Sequence, residues 1–135
     1  MNSDNRDSEM DVISTYTRQD ALIDGELIDV TEWASNKTGF LGGFKIPVAF
    51  TGALFRTLEE IPPEAGEDLR GRAHDVLFIA AGAARRQENR ELSRIYFDVL
   101  VRNSLDALVV HSLTMDIGPG DDGEPVLTIG FPEDF

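Results

Sequence analysis

A chain of 135 residues with 41% hydrophobic and 27% charged side chains has the make-up of one folded domain with apolar matter enough for a buried core. It contains no cysteine, which excludes disulfides, thiolate nucleophiles and thiolate metal sites. A formal net charge of −13 disfavours direct contact with nucleic acid or membrane phosphates, and no apolar run approaches the ~20 residues of a membrane span.

The N-terminus, MNSDNRDSEMD, is polar and acidic where a secretion signal is basic and then apolar, so a soluble, cytoplasmic protein is expected. Residues 1–11 read as a mobile acidic tail, and residues 12–135 as a single globular domain. Val12 to Tyr16 is β-prone. Thr17 then offers an N-cap with Asp20 three residues later, the spacing of a capping box, for a short helix over Arg18 to Ile23 that Gly25 ends. Glu26 to Val30 is a short extended segment, and Thr31 is placed to cap a second short helix through Trp33 and Ala34.

Gly39-Phe40-Leu41-Gly42-Gly43-Phe44 is a flexible connection by its glycines, with Phe40, Leu41 and Phe44 too apolar for an idle loop. Burial on the core is the favoured reading of these three, and a dimer contact is the other. Pro47 argues that Ile46 to Phe50 lies at an edge or off the ladder. Thr51 caps the next helix, to about Glu60, with Leu54, Phe55 and Leu58 on one face. Ile61-Pro62-Pro63 breaks it, and Pro63 suits the first turn of a long helix to about Arg86. Leu69, Ala73, Val76, Leu77, Ala80 and Ala84 give that helix one apolar stripe.

The period then changes to two. Ile95, Phe97, Val99 and Val101 mark one half-buried strand, and Val109, His111, Leu113, Met115 and Ile117 a second. Gly118 to Gly123 is a turn, and Val126 to Phe131 a third strand. Three strands joined by short connections predict an antiparallel meander with the long helix across its apolar face. The expected class is α+β.

Charge is distributed unevenly. From Asn103 to Phe135 there are seven acids and no lysine or arginine, whereas Arg85, Arg86, Arg90, Arg94 and Arg102 lie just before. Some of these arginines are expected to be neutralised across strands. Asp116, Asp121, Asp122 and Glu124, with Glu133 and Asp134, are the candidate contacts to a basic protein surface.

Catalytic signals are weak. The two histidines, His74 and His111, lack metal-ligand spacing, and the acids near Asp121 lack the ligand alternation of a calcium loop. No serine sits in a nucleophile-elbow frame, and the glycine-rich segment has no phosphate-loop context. No metal, cofactor or catalytic residue is assigned. A small enzyme using carboxylates and His74 is the minor alternative.

Three stretches are similar to an uncharacterised domain family of bacterial plasmid and phage proteins. They are Ser14 to Arg18 with Asp24-Gly25 and Leu27 to Glu32; Phe44 to Thr51; and Gly118 to Pro125 with Val126 to Ile129. The resemblance assigns no chemistry. It implies a mobile-element setting, in which host-defence inhibitors and small regulators are common. The first expectation is therefore a non-catalytic protein-binding domain. Its acidic, phosphate-like surface would meet a nucleic-acid-handling host protein. A homodimeric structural or regulatory domain is the alternative.

Overall fold

A computed structural model describes residues 15–35, 43–63, 65–86, 88 and 91–135, so the acidic tail and the Phe40-Leu41 pair lie outside the described residues. The elements are α1 (Arg18–Asp24), β1 (Leu27–Asp29), α2 (Thr31–Ala34), β2 (Val48–Thr51), α3 (Gly52–Glu59) and α4 (Leu69–Arg85). Then follow β3 (Arg94–Arg102), β4 (Leu108–Pro119), β5 (Pro125–Gly130) and a 3-10 turn over Pro132–Asp134. The class is α+β, with one five-stranded mixed sheet in the order β1-β2-β5-β4-β3.

The expected meander is present. β3 pairs antiparallel with β4, Ile95 opposite Met115 and Phe97 opposite Leu113, and β4 pairs antiparallel with β5, Met115 opposite Ile129. The sheet then continues beyond it. β2 lies parallel to β5, Phe50 beside Ile129, and β1 is antiparallel to β2. Pro47 thus fronts an interior strand rather than an edge. It stands one residue before the strand, where its missing N–H is not needed, and its carbonyl accepts from the Leu127 N–H (2.9 Å).

One face of the sheet carries the core. Phe50, Ile129, Met115, Leu113 and the alternate residues Ile95, Phe97, Val99 and Val101 pack there with Leu54 and Leu58 of α3 and Ala73, Val76, Leu77 and Ala80 of α4. The stripe read from α4 is therefore the buried one, with Leu69 and Ala84 at its half-covered ends. The helix starts later than Pro63, however. Asp68 is its N-cap and accepts from the Gly71 N–H (2.6 Å), so Pro63 lies outside the helix.

Phe44 folds back onto the core as a partly buried side chain, and Trp33 stacks on Phe55 with ring centroids 6.5 Å apart. Thr31 is the first residue of α2 rather than its cap. Its hydroxyl instead accepts from the Val48 N–H (3.0 Å) and so ties the start of α2 to β2.

The opposite face is covered only in part. α1 lies over the β1–β2–β5 side, burying Ala21 and reaching Thr128 through Arg18. β5 stops at Gly130, one residue short of the expected strand end, and Phe131 instead caps the 3-10 turn. Its Asp134 carboxylate accepts from the Thr51 hydroxyl (2.7 Å) and from the Phe131 N–H (2.8 Å). The remaining open face, on β3 and β4, leaves Tyr96, Leu100, Leu108 and Val110 exposed.

Candidate functional site

The local grammar of α1 was legible. Thr17 Oγ1 accepts from the Asp20 N–H (3.0 Å), the Asp20 carboxylate accepts from the Thr17 N–H (3.2 Å), and Gly25 closes the helix at φ 80°. The long-range partner was not. Asp121, at the tip of the β4–β5 hairpin, accepts from the Arg18 N–H (2.8 Å) and the Gln19 N–H (3.0 Å) at the first turn of α1. A carboxylate there satisfies two orphan helix donors and meets the positive end of the helix dipole.

That contact draws two acidic stretches together. Residues 15–35 carry Asp20, Asp24, Glu26, Asp29 and Glu32 with Arg18 as their sole cation, and residues 103–135 have none. Arg18 lies between them. Its guanidinium donates to Thr128 Oγ1 (2.7 Å) and to the Leu127 carbonyl (3.1 Å). Burial lowers its pKa, opposed by the nearby charges of Asp29, Asp121 and Glu124. Tyr16 marks the far side. Its phenol donates to Asp24 (2.9 Å), and its pKa is pushed up to about 12 by desolvation, then by Asp24, with Glu26 and Asp20 adding to the effect.

The structure therefore sorts the six acids singled out from sequence. Asp121, Asp122 and Glu124 share the hairpin tip, where the Asp122 N–H donates to Glu124 (3.3 Å) and all three residues are exposed. Asp116 is set apart: it stands directly across from Arg94 and is bound by that guanidinium at 3.1 Å. Glu133 and Asp134 lie past the other end of β5, and Asp134 is occupied by Thr51. The acids missed from sequence are Asp20, Asp24, Glu26 and Asp29. Their signal was the one-cation composition of residues 15–35, but only the fold shows that this stretch meets the hairpin.

Arg72 was also missed as a special residue. It is 4% exposed and donates to the carbonyls of Leu58, Glu60 and Arg102, with Glu67 3.4 Å away. One side chain thus gathers the ends of α3 and β3 at the start of α4. His74, two residues on, is half-buried, and the groove at this end of α4 is lined by Glu67, Asp68, Gly71, Arg72 and Asp75 rather than by His74. His111 is half-buried against the Phe131 ring, centroids 5.6 Å apart. Among the described residues, no cluster of three or more histidine, cysteine or acidic residues is arranged to hold a metal ion. No helix described is long and apolar enough to cross a membrane.

A family model described as a family of unknown function (DUF6573) matches residues 3–135. No curated protein and no solved structure matches the chain.

Proposed function

Since the chain belongs to this family, which has no assigned activity, we propose from the geometry that it is a non-catalytic protein-binding domain acting through the acidic face around Arg18. The observation that supports this reading is the Asp121 contact to α1. With that contact made, Asp122 and Glu124 stand on the α1 side of the hairpin, the partly buried Arg18 guanidinium lies among the acids, and Arg56 lines a groove with Glu26 and Asp134 at the far end of α1. Such a face attracts a basic surface over a distance and speeds its approach, and the attraction weakens as salt rises.

On this reading the partner is a basic, nucleic-acid-handling protein of the host, and the carboxylates stand where phosphates would. The domain is then an inhibitor or regulator of the mobile-element kind. Asp116 and Asp134 play no part in binding, because their carboxylates already serve Arg94 and Thr51.

The test is affinity capture from bacterial lysate with salt-gradient elution, comparing the natural chain with Asp24→Asn/Asp122→Asn/Glu124→Gln. A basic protein that elutes at moderate salt and is lost on the triple variant supports the proposal. Equal capture by both chains, or none by either, overturns it. Asp116→Asn serves as the control that leaves capture unchanged.

A further inference from the structure

β3 is an outer strand of the sheet, nine residues long, and its two edges differ. The Asn103 N–H donates to the Ala107 carbonyl and the Ile117 N–H to the Ser93 carbonyl, in a register where paired residue numbers add to a constant. Odd-numbered residues of β3 therefore make the backbone bonds to β4, and the N–H and C=O groups of Arg94, Tyr96, Asp98, Leu100 and Arg102 face outward. Among the described residues, one of these groups has a partner: the Arg102 carbonyl, held by Arg72.

The side chains of the same residues all lie on the open face, away from α4. Leu92 stands two residues before the strand, so in sequence the series reads Leu92, Arg94, Tyr96, Asp98, Leu100. Folded about Tyr96, that series complements itself. Two copies running antiparallel set Leu92 against Leu100, Arg94 against Asp98 and Tyr96 against Tyr96, each pair occurring twice except the central one. Within its own chain Arg94 also holds Asp116 (3.1 Å) and Asp98 accepts from the Ser112 hydroxyl (2.8 Å), so the cross-seam pair adds to those contacts. Leu92, Tyr96 and Leu100 are 50%, 64% and 60% exposed, so apolar area is there to be covered.

We infer that β3 is a homodimerisation edge, joining two copies across a two-fold axis at Tyr96 into one continuous sheet. Outward groups of Arg94, Tyr96 and Asp98 supply about six backbone hydrogen bonds across the seam. Charge decides the register. Pairing centred on Asp98 would overlap the full strand but sets Asp98 on Asp98 and Arg94 on Arg102, which repel. Pairing centred on Leu100 needs the Arg102 carbonyl that Arg72 occupies and runs into the turn at Asn103. The edge is thus guarded against its longest alignment and open to the offset one. This contact does not involve Phe44, which already packs on the core. It also leaves the face around Arg18 free, since α1 and β1 lie at the other side of the sheet.

The full chain is examined by analytical ultracentrifugation across a concentration series, where a species of twice 14.9 kDa is expected. Asp98→Arg and Arg94→Asp should each weaken self-association at least about tenfold when alone, whereas an equimolar mixture of the two should recover a heterodimer. Recovery also shows that both variants are folded. Because the natural chain has no cysteine, Tyr96→Cys should form an intermolecular disulfide under mild oxidant, the ~5.5 Å Cα separation of a hydrogen-bonded pair suiting that bond. A monomer at every concentration overturns the proposal. So does bridging through Asp98→Cys or Leu100→Cys in place of Tyr96→Cys.

Discussion

Arg72 shows how one side chain can hold several chain ends. Its donors satisfy carbonyls of Leu58, Glu60 and Arg102 that no regular ladder reaches. Removing it leaves buried acceptors unpaired, and Arg72→Ala should cost about 3 kcal/mol in denaturant unfolding. Arg72→Lys should recover less than half of that, since a single ammonium cannot span acceptors the planar fork reaches together. Its identity as a clamp was hidden because an arginine on an early helix turn reads as a solvated charge; only burial distinguishes it.

Tyr16 makes a pH-dependent contribution. Its pKa rises from the ordinary 10.0 to about 12, so the folded state holds the phenolic proton more tightly than the unfolded chain. The stability linked to that proton is complete below the ordinary value and is lost as pH climbs through the folded one. Phenolate absorbance should therefore show a late-titrating step, and Tyr16→Phe should abolish it. An unchanged titration curve in that variant would assign the step elsewhere.

Among elements, those whose signals are local were legible: α1 with its reciprocal caps, α4 with its apolar stripe, and the alternating β3. β2 was not. Four buried residues in a row carry no period, and the proline before them read as an edge marker. Parallel pairing with β5 joins residues nearly eighty positions apart, which no local pattern announces. The late start of α4 has a similar cause, because Pro63 and Asp68 are both good openers and only the fold chooses between them.

The junction of α1, β1 and α3 is tightest at Gly52. A Cβ there would stand 2.5 Å from the Gly25 carbonyl oxygen, a backbone atom with little room to yield. Gly52→Ala should therefore destabilise by about 1–3 kcal/mol in spite of alanine's higher helix propensity. Thermal unfolding of that variant is the check.

At the level of the whole molecule, the sequence displayed a lopsided charge but not its arrangement. Reading acids along one stretch grouped Asp116 and Asp134 with the hairpin, whereas folding ties them to Arg94 and Thr51 and sets Asp29 with Asp121 and Glu124 around Arg18. Surface potential depends on which segments become neighbours, and that was decided by Asp121 reaching α1. Asp121→Ala should cost about 1 kcal/mol through the lost cap, whereas Asp122→Asn should leave unfolding unchanged. Chemical denaturation of the two single variants separates a structural acid from a free one.

The route of the sheet also bears on biosynthesis. β2 emerges from a ribosome well before β5, its parallel neighbour, and α1 needs a hairpin carboxylate 103 positions downstream of Arg18. A nascent chain therefore carries the unsatisfied strand Val48–Thr51 until β5 has been made, so ribosome stalling between the two should expose it to chaperones and proteases.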